Sequence, residues 1–147
     1  MAALAETPIT GDAPDFRLAL ESAELPTEDL ADSGCTFFRF SDRGRPVGYG
    51  GYERYGEDVL LRSVVVVPGE RGKGFGRAVT EGVLAQAAAE GARRAYLLTT
   101  TAEAFFEHEG FAPIARDDAP PAILATRQAT TICSTAALLT RPISPRG

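Results

Sequence analysis

Four consecutive valines, Val64 to Val67, run into Pro68 and then into Gly69-Glu70-Arg71-Gly72-Lys73-Gly74-Phe75-Gly76-Arg77. A β-branched apolar run reads as a buried strand, and proline ends it. Beyond the glycines, Phe75, Val79, Val83 and Ala87 recur every fourth residue, the period of one helix face. The chain must therefore pass from a strand to a helix N-terminus through a short, basic, glycine-rich loop. A first helical turn leaves about four N–H groups without intrahelical partners, and the macrodipole adds partial positive charge there. Gly72, Gly74 and Gly76 remove the Cβ atoms that would hold an anion away, and Arg71 and Lys73 bring mobile charge. The pattern suits a phosphate or pyrophosphate. It also suits a plain turn in which glycine relieves strain, because a lone G-x-G matches by chance.

Spacing removes two nucleotide sites. A dinucleotide fingerprint needs G-x-G-x-x-G and an acidic residue about 20 positions on; here the glycines alternate, and the next strand ends in Thr99-Thr100-Thr101. A P-loop needs G-K-[ST], and Lys73 is followed by Gly74. What remains is R-x-x-G-x-G, Arg71 to Gly76, with a second block, Ala102-Glu103-Ala104-Phe105-Phe106-Glu107-His108-Glu109-Gly110-Phe111, downstream. The two blocks resemble the pyrophosphate loop and the A-x-x-F-[YF]-x-x-x-G-F helix of the GCN5-related N-acetyltransferase (GNAT) superfamily. The resemblance spans about Thr36 to Ala115. It implies an α/β (α+β) fold with a mixed, mostly antiparallel central sheet of six to seven strands, flanked by helices and splayed at an acetyl-CoA site.

Composition agrees with one globular domain over residues 1–147. The chain is 44% hydrophobic and 24% charged, enough for a core. Its formal charge of −5 argues against a nucleic-acid surface. Two cysteines, Cys35 and Cys133, and one histidine have no metal-ligand spacing, so reduced thiols and no metal are expected. The first residues lack a basic region and a long apolar core, and no run approaches a bilayer span. The expectation is a cytoplasmic enzyme acting on a small molecule, with neither nucleic acid nor membrane as partner and with a homodimer open.

Elements follow from pattern. A short strand holds Ile9. A helix opens at Pro14-Asp15, with Phe16, Leu18, Leu20 and Ala23 as its apolar face, and ends at Leu25-Pro26. Thr27 reads as the N-cap of another short helix. Thr36–Phe40 and Val47–Arg54 form a hairpin, whose Gly48, Gly50 and Gly51 suggest a thin or bulged strand. Val59–Val67 is the central strand, and the following helix ends at Gly91. Ala95–Leu98, an edge strand Phe111–Ala115, a helix Ala122–Arg127 and a strand Ala136–Arg141 complete the chain.

The resemblance implies roles. Backbone groups of Val65 and Val67, with Val66 between them, would hold the pantetheine arm. Arg71, Gly72, Lys73, Gly74, Phe75, Gly76 and Arg77 would hold the pyrophosphate. An N–H at Val65 would polarise the thioester carbonyl. Many relatives carry a tyrosine where this chain has Phe106, so the usual proton donor is missing, and a threonine hydroxyl is a poor acid. Glu53, near the end of the neighbouring strand, is the candidate base, against a solvated carboxylate at a strand end. Arg62 interrupts the apolar central strand and should not be buried unpaired: it either pairs with Glu53 or forks a substrate carboxylate. His108 is expected to be exposed, and Cys133 is not expected to act as a nucleophile.

Leu60-Leu61-Arg62-Ser63-Val64-Val65-Val66, Leu97-Leu98-Thr99-Thr100-Thr101-Ala102 and the tail around Pro121–Thr126 and Ile132–Leu138 look like the arsenic-resistance N-acetyltransferases of the ArsN type. Such enzymes usually have proline where this chain has Ser134. The Leu-Thr-Thr segment is also similar to the acetyltransferase domain of N-acetylglutamate synthases. The likeness implies a small anionic, amino-acid-like acceptor: an organoarsenical such as arsinothricin, or an ordinary amino acid such as glutamate. A CoA-binding module without catalysis is the alternative that the missing tyrosine favours. Arg62, Arg39, Thr99 and Arg127 are the candidate acceptor-binding residues.

Overall fold

The computed structural model describes residues 4–31, 34–132 and 135–145. One sheet runs through it. Strands β1 (Ala5–Ile9), β2 (Cys35–Asp42), β3 (Arg45–Tyr55), β4 (Asp58–Val66), β5 (Arg94–Thr99), β6 (Ala112–Pro113) and β7 (Ala137–Pro142) stand in the order β1-β2-β3-β4-β5-β7-β6. Every pairing is antiparallel except β4 with β5. Helix α2 (Phe75–Ala89) makes that parallel crossover. The mixed, mostly antiparallel sheet of seven strands is the fold class that the sequence implies.

Alternation along the strands sends side chains to two faces. Phe38, Phe40, Tyr52, Leu61 and Leu97 pack with Val79, Val83 and Ala87 of α2 and with Phe106 of α3 (Glu103–His108). On the opposite face Phe37, Tyr49 and Val65 meet Phe16, Ala19 and Leu20 of α1 (Pro14–Ser22), and Leu60, Tyr96 and Leu138 meet Ile123 of α4 (Pro121–Leu124). The glycines of β3 set how closely α2 approaches. A Cβ at Gly48 would lie 2.8 Å from Val79, and one at Gly50 would lie 2.9 Å from Val83. Gly51 faces β2, where a Cβ would stand 2.2 Å from the Thr36 carbonyl. Close packing of this kind leaves no room for a methyl group.

Several boundaries differ from the sequence pattern. Leu18 is 64% exposed and Ala19 takes its place in the core. The helix expected from Thr27 is a turn over residues 28–31. Its Asp29 is drawn into a buried ion pair, and that tertiary contact outweighs the local capping signal. The expected edge strand Phe111–Ala115 pairs over only Ala112–Pro113, where proline limits the ladder. The helix expected over Ala122–Arg127 closes after Leu124, and a wide helical turn, Gln128–Ile132, follows. Cys133 and Ser134 lie outside the described residues. Among the described residues no helix is long and apolar enough to cross a membrane.

Arg39 fastens α1 to the sheet. Its Nε and Nη2 each donate to Asp15 at 2.8 Å, and the Tyr49 hydroxyl donates to the same carboxylate at 2.5 Å. The Arg39 guanidinium holds the Asp15 carboxyl down at about 2, below its ordinary 3.8. A depressed folded-state pKa stabilises the protein above the unfolded value and loses that contribution as pH falls through the folded one. The stability gap between the parent and Asp15→Asn in urea unfolding should therefore be constant down to about pH 4 and shrink towards about pH 2. A gap that stays constant across that window would contradict the pairing.

Candidate active site

The site begins where two strands part. β4 and β5 pair only through Asp58–Arg94, Val59–Ala95 and Leu60–Tyr96. Past Leu60 a register shift intervenes, with Tyr49 opposite Val65 but Gly51 opposite Arg62. One extra residue sits on β4 across from Gly50, which makes a β-bulge. Ser63 occupies it with φ +58°, a left-handed conformation rare for a residue with a side chain. Bulges bend and twist the strand that carries them. Here β4 leaves β5 and stays with β3, and a groove opens along it.

The glycine-rich loop closes one end of that groove. Gly69, Gly72 and Gly74 have φ of +90°, +82° and +83°, and a Cβ at any of them would meet no atom within 4 Å. Gly74 is the N-cap of α2, and no side chain caps the helix. That combination of an uncapped helix start behind open left-handed glycines fits an anion. Gly76 has a different reason: a Cβ there would stand 3.3 Å from the Phe105 ring, so it admits α3. Arg71 lines the groove, its Nε 3.3 Å from the Val66 carbonyl. Lys73 turns to Glu70 at 3.1 Å, and Arg77, on the first turn of α2, has Nε 3.8 Å from Glu109.

The backbone parity of β4 corrects the expectation for Val65 and Val67. The Val67 N–H donates to the Val47 carbonyl of β3 at 2.8 Å. The Val65 carbonyl also faces β3, since a Cβ on Gly48 would lie 2.9 Å from it. In an extended residue N–H and C=O point the same way, so Val65 turns its amide from the groove. Val66 is the residue whose carbonyl faces the loop, and alternation gives Val64 the same direction. The bulge at Ser63 shifts the parity by one, which no sequence pattern reveals.

Beyond Phe106 the groove continues into a cavity of about 230 Å³ walled by Glu24, Leu25, Pro26, Arg62, Ser63, Leu98, Thr99, Thr100, Thr101 and Gln128. A connecting space shares Leu25, Val64, Thr101, Ala102 and Phe106 with the groove. Phe106 is buried and packs edge-on against Phe105 and Phe111. Among the residues lining groove and cavity there is no tyrosine, histidine or cysteine. Thr99 accepts the Ala102 N–H at 3.0 Å, which leaves its hydroxyl proton free to donate.

Arg62 is enclosed. Its Nη1 and Nη2 donate to the two oxygens of Asp29 at 2.6 Å each, and Nη1 also donates to Glu53 at 2.8 Å. Nε reaches Ser63 Oγ at 3.1 Å. The other Glu53 oxygen accepts the Tyr55 hydroxyl at 2.5 Å. Burial and this carboxylate push the Tyr55 phenol up, and the two carboxylates, against burial, hold the Arg62 guanidinium up. Of the two alternatives for Arg62, pairing with Glu53 is what the structure contains. Glu53 is not among the residues walling the cavity, and both of its oxygens are engaged. Arg39 is bound to Asp15, away from the groove, which corrects its assignment to the acceptor. Arg127 is exposed and is not among the residues walling the cavity, and His108 is exposed as expected. Asp29, Glu24, Ser63 and Gln128 carry no sequence signal of their own; Asp29 sits 33 residues from its partner.

The Acetyltransferase (GNAT) family model matches residues 6–111. The chain belongs to that family. No curated protein matches the sequence. Solved GNAT structures show how far the fold extends. N-acetylglutamate synthase from Neisseria gonorrhoeae, complexed with coenzyme A and N-acetyl-glutamate, superposes with TM-score 0.80 at 17% identity over 97% of this chain. This chain spans only 36% of that one. Tetrahymena GCN5 superposes at 0.75 with 13% identity, covering 98% of this chain and 99% of its own. A GNAT acetyltransferase from Staphylococcus aureus gives 0.69 at 20% identity, covering 94% and 99%. In this protein Arg71 and Gly76 line the loop end of the groove.

Two outcomes test the site. Gly74→Glu forces a side chain into the left-handed region, which costs about 1–2 kcal/mol, and sets a carboxylate against the nest. CoA affinity by calorimetry should fall about 100-fold, and unchanged affinity would refute the loop's role. Asp29→Ala leaves the buried Arg62 charge without its forked partner. Urea unfolding should show a loss of about 3–5 kcal/mol.

Proposed function

We propose that this chain transfers the acetyl group of acetyl-CoA to the amine of a small molecule seated in the cavity beside Ser63 and Thr99. The observation that carries this reading is continuity. The groove along β4 and the cavity open into each other at Val64, Thr101 and Phe106. Acetyl-CoA supplies an electrophilic thioester carbonyl. In this proposal Gly72, Gly74 and the N–H groups of Phe75, Gly76 and Arg77 hold the pyrophosphate, and Arg71 and Lys73 add charge around it. Val66 takes the pantetheine amide. The Val64 N–H, at the junction, polarises the carbonyl as an oxyanion donor.

Glu53 then serves by position. Together with Asp29 it holds Arg62, and Arg62 holds Ser63, so the bulge that aims Val64 stays fixed. With no free base at the junction, the amine reacts in its unprotonated fraction: its nitrogen bonds the thioester carbon, the C–S bond breaks to release the CoA thiolate, and the nitrogen's proton leaves along the Thr99 and Thr101 hydroxyls to solvent, which protonates the thiolate. An α-amino acid acceptor, and with it an amino-acid-like arsenical, is the second reading. The fold shared with the glutamate-handling synthase favours it. It requires Arg62 to give up a carboxylate or Arg127 to turn inward.

A thiol-release assay tests the transfer. With acetyl-CoA and a simple alkylamine, kcat/KM should rise about tenfold per pH unit from about pH 6.5 to about pH 9, because an amine of pKa near 10 frees its lone pair in that proportion. A plateau set by an enzyme group near neutrality would restore Glu53 as base. CoA binding without thiol release for any amine would end the transfer reading.

A further inference from the structure

Three non-glycine residues have positive φ among the described residues: Glu24, Arg43 and Ser63. Arg43 lies in the tight β2–β3 turn beside Gly44. The other two, far apart in sequence, both wall the acceptor cavity. Glu24 has φ +59° just past the end of α1. Its N–H donates to the Glu21 carbonyl at 3.1 Å, and the Leu25 N–H donates to Leu20 at 2.9 Å, a helix-closing motif whose left-handed position usually belongs to glycine. Pro26 follows and stiffens the exit. A strained residue with a charged side chain, kept where glycine would relax the chain, points to a role for the side chain.

The charges around the cavity give that role. Its one cation, Arg62, is outnumbered by Asp29 and Glu53, so the buried triad carries one net negative charge. Glu24 makes no hydrogen bond or ion pair with any described side chain, and it adds a second negative charge at the cavity wall. Arg71 belongs to the groove at the other end. Glu24 borders the cavity and not the connecting space next to Val64, while its neighbours Ala23 and Leu25 line the groove. An acceptor with a carboxylate there would meet like charge. One with a second ammonium would meet an unpaired carboxylate, with Thr100 and Gln128 on the same cavity wall.

We infer that Glu24 selects the acceptor: a primary amine that carries a second cationic group, of the diamine class, bound with its distal cation on the Glu24 carboxylate. This rests on the acetyl-transfer reading above. The probes are butylamine, putrescine and glutamate, compared by kcat/KM in the thiol-release assay. Putrescine should exceed butylamine about tenfold, and glutamate should be the poorest of the three. Glu24→Gln should bring the putrescine-to-butylamine ratio close to one. Glu24→Gly should do the same while relieving the left-handed strain, so misfolding cannot account for the result; CoA affinity reports the fold of both variants. Glutamate preferred to putrescine, equal turnover of the two alkylamines by the parent, or a ratio unmoved in both variants would overturn the assignment and leave acetyl transfer standing. No turnover of any amine would overturn both.

Discussion

A single bulge governs the rest of the structure. At Ser63, just past Leu60 where its pairing with β5 ends, the strand β4 gains a residue against β3. A left-handed, non-glycine residue in mid-strand is unfavourable by itself. It persists because the neighbouring Arg62 is locked by Asp29 and Glu53 and reaches Ser63 Oγ. A buried pair of this kind adds little net stability over an apolar replacement. Its value here is geometric. It fixes which way the backbone amides of Val64 and Val66 face, and with that where a carbonyl can be polarised.

The second constraint is the distance between α2 and the sheet. Gly48 and Gly50 let Val79 and Val83 settle against β3, and Gly76 lets Phe105 settle against the helix start. A methyl group at Gly48 or Gly50 would press on α2, and one at Gly76 would crowd α3. The uncapped N-terminus of α2 would then shift relative to β4. Helix dipole and free N–H groups fall off within the first turn, so a displacement of about a turn would dissociate the anion end from the groove. Glycines that look like a weakness in β3 are what bring the two halves of the donor site into register.

The sequence discloses the donor half much better than the acceptor half, and the reason lies in what each is made of. The donor half is backbone. Backbone that must curl around an anion demands glycine at fixed intervals, and Gly72, Gly74 and the helix period after them are visible in one dimension. Parity is less visible: the family resemblance points to Val65 and Val67, and the bulge at Ser63, which has no residue signature, turns Val64 and Val66 to the groove instead. The hairpin and the α2 crossover were legible because alternation and period are local. The turn at Asp29 was not, since its conformation is decided by an ion pair with a residue 33 positions away.

The acceptor half is built of side chains carried in by loops that share no pattern: Glu24 from the end of α1, Arg62 and Ser63 from β4, Thr99 to Thr101 after β5, Gln128 from the last helical turn. Reading the arginines as anion receptors treats a residue type as if it were a charge available to a ligand. Arg39 and Arg62 are each saturated by carboxylates that a one-dimensional reading cannot pair with them. Once those pairs are formed, neither guanidinium is left over for an anion. What a site attracts is set by the charge left over after internal pairing, and the cavity wall keeps Glu24 in a backbone conformation that glycine would adopt more readily.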